Sequence, residues 1–480
     1  MLAGFRAFAA ICLALAFAML LCALIGVGQA DQASVSLFFG LATILVFFAA
    51  CIHLAFLDRK ASLTRGISFR VLIICWFFTP ILATPPFLIL TDLPLHLAFF
   101  EAVSAVTTTG FTTFSSLEQV PTSIIGWRAW LQWLGGIATL VSIIVVLSPS
   151  GAGGTPLLRI GGDLRQILEN RVIGVAGVYM AVTLACFTLL IASGLPVFDA
   201  LALSLTTVST GGMMPTSGSI SDYSAPMAEW VLALFMLIGA TSIVWHRLVA
   251  TGRIGRSATV GESLTLLALA GALGFAYAVA FASAAGSSDV LAPGDALREG
   301  FLTAASLVST TGLEARNAGA TVLPLSLVLV ILLVGGGMFS TAGGLKLYRI
   351  ALMARHSAME LEHILYPHAV HVDHIGNLSY DADGIRAIWT ALVLFMAVWA
   401  GTSIILTLGP FPPEAALVAA LTAITNAGPI YSYGWAAPDI WPTLDALQPT
   451  QAIALCLTMI AGRLELVGFI AGFSIAFFKR

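Results

Sequence analysis

Four short polar loops recur along this chain: Thr108-Thr109-Gly110-Phe111, Thr210-Gly211-Gly212-Met213, Thr310-Thr311-Gly312-Leu313 and Asn426-Ala427-Gly428-Pro429. They lie about a hundred residues apart, and each has glycine at its third position. Each follows a short apolar stretch set between two long ones. Repeats of this kind call for equivalent units arranged around a common axis. Such a loop is tolerated at membrane depth only where it lines a watery cavity. The pattern therefore constrains the chain to one pore with a four-part lining.

Composition identifies the solvent. The 480 residues are 59% hydrophobic and 9% charged, with a mean hydropathy of +0.99. That is too little charge to cover a soluble surface of this size, so the chain is an all-α polytopic membrane protein whose environment is the lipid bilayer. The net charge of −3 says nothing about partners; the bilayer is the expected environment and no nucleic-acid partner is expected. Long apolar runs at 7–27, 35–57, 69–90, 127–148, 172–193, 227–250, 262–284, 322–345, 386–409 and 450–478 predict ten spans. The first run resembles a signal peptide in its flanks, Arg6 and Gly28-Gln29-Ala30, but it is longer than a usual signal core, and a retained helix is expected. Cys12, Cys22, Cys51, Cys75, Cys186 and Cys456 fall in apolar runs without CxxC spacing and are expected to be packing residues.

The first two spans stand alone, and the other eight form four pairs with one Gly-centred loop inside each. The apolar stretches before the loops, 95–108, 198–209, 297–309 and 413–425, are too short to cross a membrane. Asp199, Asp295 and Glu414 stand near the start of three of them and Asp92 precedes the first, which suits helix N-termini. The repeated unit is thus span, pore helix, loop, span. The expected divisions are an N-terminal helix pair at 1–68 and pore repeats at 69–171, 172–261, 262–385 and 386–480. With the N-terminus inside, 17 of the 21 Lys and Arg fall on the cytoplasmic side, and Arg128, Arg298 and Arg316 fall outside. A multi-pass protein of the cytoplasmic (inner) membrane follows, with both termini cytoplasmic and all four loops at the outer face.

A potassium-type filter replaces an ion's hydration shell with rings of backbone carbonyls. Gly110, Gly212, Gly312 and Gly428 permit the required backbone, and the residues at −2 and −1 supply most of the other carbonyls. No loop carries a charge at its four positions, which disfavours calcium or anion selectivity. A single loop of this kind would be an ordinary turn; four in register, one per span pair, indicate a site. The second loop adds Gly211, and the fourth differs at Asn426 and Pro429.

Below this ring lie two gating candidates. The run Gly335-Gly336-Gly337-Met338-Phe339-Ser340-Thr341-Ala342-Gly343-Gly344 interrupts a span, and each helical Gly costs about 1 kcal/mol against Ala, so a continuous helix is not expected. It is not a nucleotide P-loop, since no strand precedes it and the spacing to Lys346 is wrong. Arg463 is a charge inside a span, which is expensive and usually faces a cavity or a partner. An ion pair with Glu465 is the competing account, weakened because neighbours at i,i+2 do not face each other.

Further motifs are Glu101-Ala102-Val103-Ser104-Ala105 before the first loop and Gln132-Trp133-Leu134-Gly135-Gly136 in the next span. Thr207-Val208-Ser209-Thr210-Gly211-Gly212 runs through the second loop, and Gly462-Arg463-Leu464-Glu465 lies in the last span. With these the sequence resembles, over essentially its whole length, the superfamily of potassium transporters that includes TrkH, KtrB and the plant HKT proteins. The extra N-terminal pair points to the bacterial TrkH/TrkG branch. The resemblance implies a fourfold-repeated potassium channel in one polypeptide, homodimers with one pore per subunit, and potassium as the transported ion. It also implies gating by a cytosolic nucleotide-binding TrkA-type ring, with nucleotide on that partner and no organic cofactor or other metal in this chain. Family members that prefer sodium carry Ser at the first glycine, so Gly110 leans toward potassium. One glycine per loop implies looser discrimination against sodium than in a tetrameric channel. By the same resemblance Gly335, Gly336, Gly337, Ser340, Thr341, Gly343 and Gly344 belong to an intramembrane gate, and Arg463 is an electrostatic barrier. Met338 and Phe339 depart from the usual Gly/Ser pattern.

The stretch with His356, His363, His368, His371 and His374 has irregular spacing and is expected to be a cytoplasmic docking connector rather than a metal site. A sodium- or proton-coupled symporter or antiporter is the alternative function; it predicts inverted repeats and midplane carboxylates, which the sequence does not offer. An enzyme is not expected, since neither HExxH nor GxSxG nor a paired intramembrane Asp occurs.

Overall fold

The computed structural model describes residues 2–56, 65–146, 164–243, 245–246, 258–283, 292–315, 322–366, 374–375, 378–379, 382–433 and 441–464. Among them, six helical segments are long and apolar enough to cross a membrane. Helices α1 (Leu2–Gly28) and α2 (Gln32–Ala55) form a hairpin whose turn is fixed by Asp31, its carboxylate accepting the Ser34 N–H at 3.1 Å. Cys12, Leu15, Met19 and Cys22 lie on one buried face of α1, while Leu13, Phe17, Leu20 and Leu24 are exposed, the one-sided burial of a peripheral helix. The Ser34 and Ser123 hydroxyls, 2.7 Å apart and buried, tie this hairpin to the first repeat.

Four repeats follow. The first is α3 (Arg65–Ala83), α4 (Pro85–Leu90), α5 (Leu95–Val106) and α6 (Thr122–Val146); the second is α7 (Leu164–Ala192), α8 (Val197–Val208) and α9 (Pro226–Ala240). The third is α10 (Ala258–Ser283), α11 (Pro293–Val308), α12 (Leu325–Val334) and α13 (Leu347–Leu365). The fourth is α14 (Ala382–Thr407), α15 (Pro413–Ile424) and α16 (Pro449–Arg463). Pro80 weakens the end of α3, and the Trp127 indole donates to the Ala83 carbonyl at 3.1 Å where that helix stops.

The pore helices α5, α8 and α15 have 12 residues each and α11 has 16. At 1.5 Å per residue a 12-residue helix reaches only about 18 Å, short of a hydrocarbon core about 30 Å thick. All four start at proline: Pro94, Pro196 and Pro412 at N-caps and Pro293 at a first helical position. Proline suits that place because the first N–H groups of a helix have no partner anyway. Asp199, Asp295 and Glu414 sit in first turns as expected, although none is the cap.

Two expected spans are shorter than their apolar runs. In the run 227–250 the helix breaks after Ala240 and helical residues return at Ile243, Trp245 and His246; in 322–345 it stops at Val334 and resumes at Leu347. Tertiary hydrogen bonds replace the helical ladder at both breaks, as the next section details. In the last span the helix ends at Arg463, and 465–480 lie outside the described residues. After α13 comes a small antiparallel ladder, β1 (His374–Ile375) against β2 (Leu378–Ser379), with His374 opposite Ser379. Cys12, Cys22, Cys186 and Cys456 are buried as packing residues and Cys75 is partly buried; Cys51 is exposed, contrary to that expectation, on a face of α2 that the described residues leave uncovered.

Candidate functional site: a Gly-centred ring and the segment beneath it

The four loops share more than four residues. Ser104, Thr206, Ser306 and Thr422 stand six positions before the glycines, Thr107, Ser209, Ser309 and Thr425 three before, and Val106, Val208, Val308 and Ile424 between them. The backbone closes in the same way each time. The N–H groups of Thr109, Gly211, Thr311 and Ala427 donate to the carbonyls of Ser104, Thr206, Ser306 and Thr422 at 2.9, 2.8, 3.0 and 2.8 Å. One residue earlier, Thr108, Thr210, Thr310 and Asn426 donate three residues back, at 3.0 to 3.2 Å. These bonds hold Thr108, Thr210, Thr310 and Asn426 in left-handed backbone, with φ of 52°, 52°, 57° and 51°. A non-glycine residue pays roughly 1–2 kcal/mol for that conformation. Four equal outliers at equivalent positions mark a site where surrounding structure over-determines the backbone.

Glycine is required where the loops meet. Gly110 and Gly212 have φ of 87° and 68°, and a Cβ on either would stand 2.1 Å from the Gly211 carbonyl or 1.8 Å from that of Thr311. The fourth loop is different. Gly428 donates to the Thr109 carbonyl at 2.7 Å, and Gly428–Tyr433 continues as a 3-10 turn. Phe111, Met213 and Leu313 point back into the core, whereas the Pro429 ring turns the other way. It would lie 2.9, 3.1 and 3.0 Å from Cβ atoms built on Gly110, Gly212 and Gly312, so it occupies the centre of the other three glycines. Tyr431 anchors this turn, its hydroxyl donating to the Pro442 carbonyl at 2.7 Å and its own carbonyl accepting from the Trp441 indole at 2.9 Å.

Neighbouring repeats brace the loops. Gln132 on α6 donates its amide to the Gly211 carbonyl at 2.8 Å and accepts the Met213 N–H at 3.3 Å. Asn426 donates to the Thr109 hydroxyl at 2.9 Å and to the Met459 carbonyl at 3.0 Å. Glu101, wholly buried on α5, accepts the N–H and hydroxyl of Thr113 just past the first loop and pairs with buried Arg128 at 3.4 Å. Sequence reasoning placed Glu101 and Gln132 in motifs but gave them no task. It also missed the two hydroxyl positions, although a seven-residue alignment of the loops displays them.

The helix ends are oriented to suit a cation. Each pore helix stops immediately before its loop, so four C-terminal ends, each carrying a partial negative charge, converge on the ring.

Beneath the ring, residues 335–346 cross between α12 and α13 without helix. Gly335, Phe339, Gly344 and Lys346 all have positive φ, and Gly343 packs so tightly that a Cβ would reach 1.6 Å from the Thr425 carbonyl. The backbone groups freed by this break find partners. Gly337 and Thr341 donate to the carbonyls of Ala240 and Gly239 at 2.9 and 3.3 Å, which uses the last acceptors of α9 and ends that helix. Gly343 N–H donates to the Thr310 hydroxyl at 2.8 Å, linking the segment to the third loop. Ser340 bonds within the segment, to the Gly337 carbonyl, and Gly336 N–H donates to the Gly343 carbonyl at 3.2 Å. Arg463 is buried and donates to two backbone carbonyls: Thr107, at the base of the first loop, at 2.6 Å, and Thr341 in the crossing segment. Glu465 lies outside the described residues, as do His368 and His371. His356 lies 3.5 Å from Glu360, and among the described residues no three metal-ligating side chains gather.

Four re-entrant pore-helix repeats around one axis, preceded by two further helices, define a polytopic membrane transport protein and not an enzyme. The TrkH family profile, described as cation transport protein, matches residues 41–478, and the chain belongs to that family. It is 26% identical over 433 residues to the Trk system potassium uptake protein TrkH of Salmonella typhimurium, covering 88% of each chain. It is 27% identical over 444 residues to the Trk system potassium uptake protein TrkI of Halomonas elongata, covering 90% of this chain and 88% of that one. The fold is similar to the crystal structure of the potassium transporter TrkH from Vibrio parahaemolyticus, with a TM-score of 0.84, 24% identity and 98% of both chains covered.

Proposed function

We propose that this chain conducts potassium inward across the cytoplasmic membrane through a channel-like pore. In this reading residues 1–68 form an accessory helix pair, and 69–171, 172–261, 262–385 and 386–480 form the four quadrants. The observation that carries it is the backbone closure repeated four times, with four helix C-termini directed at one buried ring of uncharged loops. That chemistry suits a dehydrated monovalent cation held by carbonyls. The relatives named as Trk potassium uptake proteins support potassium as the ion. The membrane potential supplies about 2.3 kcal/mol per charge per 100 mV for entry.

Residues 335–346 serve as the gate, and Arg463 couples it to the base of the first loop by bonding to both. Potassium is cargo; no organic cofactor enters the scheme. Regulation comes in trans, from a cytosolic TrkA-type nucleotide-binding ring docking near α13 and the connector after it. The pore acts within a homodimer, and both termini face the cytoplasm.

The test is rubidium and sodium flux into vesicles holding the purified protein, with Gly110→Ser alongside. Rubidium flux that falls at least tenfold relative to sodium in Gly110→Ser is the expected result. Absence of both fluxes, with or without the regulatory ring, would overturn the reading.

A further inference from the structure

The break between α12 and α13 leaves backbone N–H groups in a low-dielectric region, where an unpaired group costs several kcal/mol. Two of them, Met338 inside the crossing segment and Tyr348 in the first turn of α13, donate to the same atom. That atom is Oε1 of Glu262, at 2.8 and 3.2 Å. Glu262 belongs to the first part of α10 and is 8% exposed. Gly337 passes against the same carboxyl, 3.7 Å from where its Cβ would be. Tyr348 N–H is one of the donors a helix start cannot satisfy internally, and a carboxylate is favoured at that end. One side chain therefore caps α13 and clasps the crossing segment together.

We propose that Glu262 is a positioning residue that latches the gate closed, and that conduction requires α13 to pull away from it. The proposal rests on the reading of residues 335–346 as a gate. Its geometry gives that gate a lever. α13 runs on to exposed Leu361, Ile364, Leu365 and Tyr366, where a partner can grip it. Displacing the start of α13 breaks the Tyr348 bond and frees the carboxylate that also holds Met338. Leu347 N–H also donates to the Gly336 carbonyl at 3.1 Å, a second bond between α13 and the segment that the same displacement would break, whereas the ties to Gly239, Ala240, Thr310 and Arg463 lie toward the ring.

The experiment measures rubidium flux without the regulatory ring, together with amide hydrogen exchange. Glu262→Ala is expected to raise basal flux about tenfold, equivalent to about 1.4 kcal/mol in the closed–open balance. Glu262→Gln, which keeps the acceptor oxygen, restores the closed level. A merely structural glutamate would lower flux and yield in both variants. Basal flux in Glu262→Ala equal to wild type, or raised equally in Glu262→Gln, overturns the latch. Exchange in the wild-type protein reads it independently of any flux and of whether Glu262→Ala assembles. Protected amides at Met338 and Tyr348 are expected, with exchange accelerated on addition of the ring, and amides that exchange freely before it is added overturn the latch. Wild-type and Glu262→Ala vesicles that both stay silent even with the ring added refute the uptake reading, while amides at Met338 and Tyr348 that are protected and open on its addition still show the Glu262 clasp.

Discussion

Gln132 of the first repeat holds the Gly211 carbonyl of the second at 2.8 Å, so one quadrant of the ring is shaped by a side chain from its neighbour. The same amide accepts the Met213 N–H. Its two bonds span the second glycine and fix that loop from behind. The Gly211 carbonyl keeps a second lone pair free.

Replacing this residue removes both bonds at once. Gln132→Leu leaves a buried carbonyl and a buried N–H unpaired, at about 1–3 kcal/mol each. A lower melting temperature and a sodium-to-rubidium flux ratio several times that of wild type are expected. A variant with unaltered ratio would mean that the second loop holds its shape without this brace.

Arg463 ties the base of the first loop to the crossing segment. Arg463→Ala removes a buried positive charge and the bonds to Thr107 and Thr341, and cation flux is expected to rise about tenfold or more. Arg463→Lys keeps the charge without the planar fork and should fall between the two. Equal flux for Arg463→Ala and wild type, at equal protein density in vesicles, would remove Arg463 from the gating scheme.

Pro429 fills the space between three glycines. Pro429→Ala withdraws most of that ring while leaving the Gly428 N–H bond to Thr109 in place. Rubidium flux is expected to increase severalfold, with discrimination against sodium reduced. If flux stays at the wild-type level, the fourth turn already moves aside during each transport event.

The loops that follow the first two glycines carry a pH-dependent link. Glu118 accepts the Ser217 hydroxyl at 2.7 Å and the Ser217 N–H at 3.0 Å, and these bonds, with one from Ser116, hold its carboxyl down at about 2. A folded-state value below the unfolded one contributes stability above the unfolded value, about 4.3, that is lost as pH falls toward 2. The group is fully exposed, so solvent screens the effect and a small change is expected. Thermal melts between pH 5 and pH 3 should decline less in Glu118→Gln than in wild type. Parallel decline in the two proteins would show that the link is broken in solution.

The pore helices and the four glycines were legible because hydrophobic length and glycine position report directly on span and tight turn. The early end of α9 was not. Its apolar run continues past Ala240, and only the arrival of Gly337 and Thr341 from a hundred residues away takes its last acceptors. The discontinuity at 335–346 was visible as five glycines, but its partners Glu262 and Thr310 come from distant elements that no local pattern names. Arg463 was singled out as a costly charge, while its acceptors, both backbone carbonyls, carry no sequence signal. The fourth loop advertised its difference through Pro429, without revealing that the ring would turn inward.

Four unequal quadrants in one polypeptide also change how such a protein can vary. In a homotetramer one codon change strikes every side of the ring together. Here a substitution at Gly110 or Asn426 alters a single quarter and leaves the others as they were. With this ring as the proposed filter, ion preference can be adjusted in small, separately heritable steps, and a damaged quarter can be offset by a change in another.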